Sequence, residues 1–149
     1  MAYSVLRLCP SCGAQNRVPA RHLSDTGRCG SCKSSLPSLA EPLEVDQPAF
    51  DAIIKESRVP VLVDFWAVWC GPCRAAAPEV QAVAREMAGR AVILKVDTEA
   101  QPDLANRYRV QSIPNFAVFQ NGALVLQQPG LVRRDQMRAW LESAAAKVA

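Results

Sequence analysis

The sequence contains a single histidine, His22, in 149 residues. With one imidazole in the chain, no Cys–His catalytic arrangement can be argued for near the cysteines at 70 and 73. No cysteine is left over either: all six lie in C-x-x-C pairs. The opening residues, Met1 to Cys9, lack the roughly 7–15-residue apolar core of a secretory signal. No segment approaches the ~20 consecutive apolar residues of a membrane span. A reducing cytoplasm is therefore the expected compartment, where a reactive thiol pair serves mainly to donate electrons. Low-complexity tracts are missing, and nothing repeats beyond the paired C-x-x-C units. Residues 1–40 carry five basic residues against one acid. Basic and aromatic residues are not interleaved there, so a nucleic-acid partner is not expected.

The cysteines present divide into four plus two. The pentapeptide Trp69-Cys70-Gly71-Pro72-Cys73 follows the apolar run Val61–Trp66 and opens a helical stretch. Two cysteines three positions apart on a first helical turn meet the Cα separation a disulfide needs, about 4.4–6.8 Å. The first sits near free backbone N–H groups and the positive end of the helix dipole, and both favour the thiolate. Cys70 is the candidate nucleophile. Cys73, one turn in and expected to be the more buried, is the candidate resolving thiol. Gly71 and Pro72 between them restrict the turn, and Pro72 has no N–H in need of a partner.

The other four are Cys9-x-x-Cys12 and Cys29-x-x-Cys32, with sixteen residues between the pairs. That spacing predicts a Cys₄ zinc site, with Gly13 and Gly30 making the tight knuckle turns. Surface disulfides, redox-active thiols and a Cys₃His set using His22 are the alternatives; the last would leave one cysteine unused. Residues 1–36 hold few large apolar side chains, so metal is the natural staple for a segment that cannot bury enough surface.

The chain is expected to divide into a zinc-binding module over 1–36, a Pro-containing linker over 37–42 and an α/β domain over 43–149. The pattern predicts an edge strand at Leu43–Val45 and a helix starting at Asp46 and Pro48. It predicts a central buried strand over Val61–Trp66 and a helix from Gly71 to about Met87, kinked at Pro78. Further along it predicts a strand over Ala91–Val96 and a short helix over Pro102–Tyr108. The Asn121-Gly122 hairpin joins two more strands. The last helix spans Arg133–Val148, with Met137, Trp140, Leu141 and Ala144 inward, and Arg133-Arg134 is read as its solvated start. Trp66 is assigned to the core, whereas Trp69 serves either as a substrate platform or in packing.

Asp64 is a carboxylate in a buried strand, a costly placement unless it is paired or functional. Burial predicts a raised pKa and a role as proton acceptor for Cys73 through a water. Lys95, in an equally apolar strand, is the partner that would moderate the shift; a purely structural Asp64–Lys95 pair is the alternative.

Val-Asp-Phe-Trp-Ala-Val-Trp-Cys-Gly-Pro-Cys-Arg resembles the thioredoxin family. So do Lys95-Val-Asp, Ser112-Ile113-Pro114, Phe119-Gln-Asn-Gly122 and Pro129-Gly130, in the family's order over roughly residues 41–149. With the N-terminal cysteines the likeness is to the zinc-binding bacterial type commonly called thioredoxin 2. The resemblance implies a thioredoxin fold, a mixed sheet flanked by helices, preceded by a small zinc-ribbon-like module with one structural Zn²⁺. It implies a protein-disulfide reductase with Cys70 and Cys73 as the redox disulfide, Asp64 as buried base and Lys95 beside it. Its partners would be disulfide-containing proteins and an NADPH-dependent thioredoxin reductase. Ile113–Pro114 would be a cis peptide against the disulfide, and Trp69, Gly71, Pro72, Ile113, Pro114 and Gly130 would line the substrate groove. Asn115 and Val68 depart from the family pattern at that groove and bear on substrate preference. Other readings are a disulfide oxidase or isomerase, against which Gly71-Pro72 speaks, and a zinc-linked redox sensor or partner-binding module.

Overall fold

Two short hairpins come first. Strands β1 (Ser4–Leu8) and β2 (Gln15–Pro19) pair antiparallel, as do the two-residue β3 (Gly27–Arg28) and β4 (Ser35–Leu36). A computed structural model describes residues 3–146 of the chain. Each C-x-x-C sits at the tip of one hairpin. Cys9 N–H donates to Ala14 O and Gly13 N–H to Cys9 O; in the second hairpin Cys29 N–H donates to Ser34 O and Lys33 N–H to Cys29 O. The residue after each second cysteine closes the turn with positive φ: Gly13 at 75° and Lys33 at 65°. The turn role assigned to Gly30 therefore belongs to Lys33, because the two knuckles repeat the same backbone path.

The remaining elements are β5 (Leu43–Glu44), α1 (Gln47–Glu56), β6 (Val61–Trp66), α2 (Gly71–Glu86), β7 (Val92–Asp97), α3 (Pro102–Arg107), β8 (Asn115–Gln120), β9 (Ala123–Pro129) and α4 (Arg134–Ala146). Strand order is β5-β7-β6-β8-β9; the first three run parallel to one another, β8 runs antiparallel to β6, and β9 antiparallel to β8. β6 lies in the middle, as its apolar run predicts. Asp46 caps α1 by accepting from Ala49 N–H at 3.0 Å. Asn121 (φ 54°) and Gly122 (φ 80°) both adopt the positive φ of a two-residue hairpin turn. The end of the expected last helix, at 147–148, lies outside the described residues.

Alternation along the strands sends side chains to two layers. Val61, Val63, Phe65, Leu94 and Phe119 pack with Phe50 and Ile53 of α1 and Leu104 of α3. Leu62, Ile93, Phe116 and Val118 pack with Val80 and Val83 of α2 and Met137 and Leu141 of α4. Asp64, two residues from Leu62, points to this second face. Trp140 is only partly buried there. Arg134 is not simply solvated: its guanidinium and backbone N–H both reach Glu79 of α2, at 2.9 and 3.1 Å.

The N-terminal hairpins dock on the larger unit. Ala20, Leu23 and Leu39 join the first core layer, with Tyr3, Val5 and Val18 packed against it. Leu39, in the segment read as a linker, is buried and donates its N–H to Leu23 O at 2.9 Å.

Candidate active site and metal centre

Cys70 ends the loop after β6 and caps α2, with φ −85° and ψ 111°. Its Sγ accepts the Cys73 N–H at 3.1 Å, and the two sulfurs are joined in a disulfide with Cα atoms 5.2 Å apart. The cap geometry aims the Cys73 N–H, a free donor of the first helical turn, at the first sulfur, which is what stabilises a thiolate there on reduction. The expected contrast in burial is not found: Cys70 is 2 % exposed and Cys73 4 %. Trp66 and Ile113 pack against the small cluster that the two cysteines form with Ala67.

Ile113–Pro114 is a cis peptide, and the Ile113 carbonyl oxygen lies 3.7 Å from Cys70 Sγ. Gly130 donates its N–H to Pro114 O at 2.8 Å with φ 99°, a conformation open to glycine but strained for other residues. Trp69 is 65 % exposed, and its indole N–H donates to Glu99 at 2.8 Å, so it stands at the surface beside the disulfide. Val68 and Leu131 are exposed as well. Asn115 instead is buried, its Oδ1 accepting from Gln127 Nε2 at 3.0 Å. It faces a strand neighbour rather than the groove.

Asp64 is fully buried, and its Oδ1 has no hydrogen-bond partner among the described residues. Burial pushes its carboxyl up to about 7; Lys95 opposes that shift and Glu44 reinforces it. Asp64 and Lys95 are register partners on β6 and β7. The ammonium rests over the Trp66 ring, 4.4 Å from its centroid, rather than closing a hydrogen bond on Oδ1. Trp66 is accordingly not wholly core: its indole N–H donates to Glu44 at 3.0 Å. Glu44 and Glu99 gave no sequence signal. Each depends on a strand or loop register that residue type alone does not reveal.

At the tips of the two N-terminal hairpins the four remaining sulfurs lie within 4.8 Å of one another. Cys9 and Cys32 are 3.7 Å apart, as are Cys12 and Cys29, too far for disulfides. A tetrahedral zinc with Zn–S bonds of about 2.3 Å has sulfur–sulfur edges of about 3.8 Å, so the set fits the ion. Backbone N–H groups of Ser11 and Ser31 donate to Cys9 and Cys29, as expected around thiolates. Asn16 links the knuckles: its Nδ2 donates to Cys29 Sγ at 3.5 Å and its Oδ1 accepts Gly30 N–H at 2.9 Å. His22 takes no part. It pairs with Asp25 at 2.7 Å.

Residues 41–143 match the family model for thioredoxin. The chain belongs to the thioredoxin family. Residues 8–34 match a second model, the zinc ribbon described as the N-terminal part of thioredoxin 2. Thioredoxin C-3 of Corynebacterium nephridii is 39 % identical over 135 residues, covering 91 % of this chain and 92 % of the relative. Thioredoxin 1 of Chlorobaculum tepidum is 44 % identical over 88 residues, 59 % of this chain and 87 % of its own. Among solved structures, a mutant thioredoxin from Halobacterium salinarum superposes with a TM-score of 0.68 at 32 % identity, covering 74 % of this chain and 96 % of that one. As a thioredoxin with a Cys70–Cys73 disulfide, the chain is a thiol–disulfide oxidoreductase of the protein-disulfide reductase class.

Proposed function

We propose that Cys70 is the attacking sulfur and Cys73 the resolving one. With the pair reduced, the Cys70 thiolate attacks one sulfur of a substrate disulfide. A Cys70–substrate bond forms, the substrate S–S bond breaks, and the departing thiolate takes up a proton. Cys73 then gives its proton to Asp64, through a water, and attacks Cys70. The Cys70–Cys73 disulfide forms and the second substrate thiol is released. Two electrons have moved to the substrate, and an NADPH-dependent thioredoxin reductase supplies two more to restore the reduced pair. Trp69, Gly71, Pro72, Ile113, Pro114 and Gly130 border the groove, where the backbone of residue 113 is free to pair with an extended substrate. Lys95 moderates the charge on Asp64. Gly71-Pro72 between the cysteines supports the reducing direction over oxidase or isomerase work.

Cys9, Cys12, Cys29 and Cys32 would hold one structural Zn²⁺, which supplies folding energy to the module and no electrons. We read residues 1–36 as that module, 37–42 as its connection and 43–149 as the redox domain. The cytoplasm is the compartment that suits a reducing pair.

The observation that carries the catalytic reading is the Cys73 N–H on the sulfur of Cys70, a sulfur seated at a helix start. Insulin-disulfide reduction with NADPH and a thioredoxin reductase tests it. Cys70→Ser is expected to abolish turnover, and Cys73→Ser to trap a mixed disulfide on Cys70; full activity in the first variant refutes the assignment. Native mass spectrometry before and after thiol alkylation tests the metal: one zinc protecting four cysteines is expected.

A further inference from the structure

Strand β5 is only two residues long, and its second residue is an acid. Glu44 is the register partner of Lys95 on β7, and Lys95 is the register partner of Asp64 on β6. Residues in register on adjacent strands share a face. One row across three strands therefore reads acid, lysine, acid.

Both oxygens of Glu44 are engaged. Oε1 accepts the Trp66 indole N–H at 3.0 Å, and Oε2 accepts the Asp97 backbone N–H at 3.1 Å. The indole so held is the one beneath the Lys95 ammonium, and it packs against the small cluster of Ala67, Cys70 and Cys73. Glu44 thus reaches the cluster that holds the disulfide through Trp66, and reaches Asp64 through a shared cation.

We infer that Glu44 is a positioning residue of the redox site, holding the Trp66 indole beneath Lys95 and competing with Asp64 for that one cation. The assignment rests on Asp64 being the proton acceptor for Cys73. The charges acting on Asp64 are Lys95 and Glu44; those acting on Glu44 are Lys95 and Asp97. Glu41 lines the same surface depression as Lys95, where α2 contributes the uncharged Ala77, Val80 and Gln81. Burial raises the Glu44 carboxyl itself.

The test is a carbon-13 titration of the Asp64 carboxyl in the oxidised full chain. Glu44→Gln keeps an acceptor for the indole and removes the charge. Two carboxylates separated by two strand spacings, about 10 Å, at an effective dielectric of about 20–40, move each other's midpoint by roughly half to one pH unit. Glu44→Gln is expected to lower the Asp64 midpoint by that amount with Trp66 emission unchanged, and Lys95→Met to raise it. An Asp64 midpoint that stays put in folded Glu44→Gln overturns the inference. The wild-type protein gives a second reading that needs no variant: the Asp64 resonance should carry a smaller inflection where Glu44 ionises, and a single-step curve counts against the coupling. The proton-acceptor reading fails on a different measurement. If Asp64→Asn leaves the pH profile of insulin reduction unchanged, Asp64 is not the base, whatever the titration shows.

Discussion

Cys70 and Cys73 turn toward each other, whereas Cys9 and Cys12 turn toward two other cysteines. The sequence spacing is the same, and so is one local contact: the first sulfur of Cys70-x-x-Cys73, of Cys9-x-x-Cys12 and of Cys29-x-x-Cys32 each accepts a backbone N–H. What differs is the path after it. At Cys70 the chain enters a sixteen-residue helix and the donor is residue i+3, so the second sulfur returns beside the first. At Cys9 and Cys29 the donor is residue i+2 and the chain reverses into a hairpin, so both sulfurs point to an outside position. Backbone geometry, rather than spacing, decides between an electron pair and a metal cradle.

Removing one sulfur from each kind of site should separate them most strongly. Cys70→Ser is expected to lower kcat/KM for insulin reduction by about 10³-fold or more, since the sulfur that forms the first bond to the substrate is gone, with zinc content unchanged. Cys9→Ser is expected to do the reverse: zinc is lost and amide protection falls over 3–36, while kcat/KM stays within about threefold. Chelating the metal from the wild-type chain should reproduce the second pattern in hydrogen exchange. The distinction breaks if Cys9→Ser silences the reductase. The route for such coupling would be Leu23 and Leu39, which tie the module to the core around α1.

The redox side also holds a buried carboxyl, Asp64. Asp64 has a folded value of about 7 against 3.8 for the free side chain, because burial disfavours its anion. The folded state therefore binds this proton more tightly than the unfolded chain does. Stability falls as pH rises from about 4 to about 7 and changes no further through this group above that window. Asp64→Asn should remove this dependence. It is expected to be more stable than the wild type at pH 8 by on the order of 4 kcal/mol, and about equal below pH 4. Urea denaturation of the oxidised proteins at pH 4, 5.5 and 8 measures it. A constant difference across that range would show that Asp64 is no buried anion.

Much of the redox half was legible in residue order. Val61–Trp66 reads as a central strand because it is apolar on both faces, and Asp64 is conspicuous for the same reason. Asp46 and Asn121-Gly122 mark a helix start and a turn by their own chemistry. Glu44 was not legible: an acid in a two-residue strand resembles any surface acid until register sets it beside Lys95. Asn115 was expected at the groove from its place after Pro114. The pairing of β8 with β9 buries it and brings Gln127 within reach. Leu39 lay in a stretch with two prolines and few large side chains, and nothing local announces that it docks. In each case the missing information is a long-range pairing.

The knuckle turns give the smallest effect and the finest test of the comparison. Gly13 and Lys33 occupy the same positive-φ position, which glycine adopts freely and lysine does not. Gly13→Ala should therefore cost about 1 kcal/mol, and Lys33→Gly should gain about 0.5 kcal/mol, less than the full backbone preference because the Lys33 ammonium donates to Gly30 O. Gly30 has ordinary φ, and a Cβ there would meet only Asn16 Oδ1 at 3.7 Å, so Gly30→Ala should be nearly neutral. Zinc-release rates against a competing chelator dye rank the three. Equal effects at Gly13 and Gly30 would mean that the glycines serve the knuckles by their small size, and that backbone path is not what sets these cysteines apart from Cys70 and Cys73.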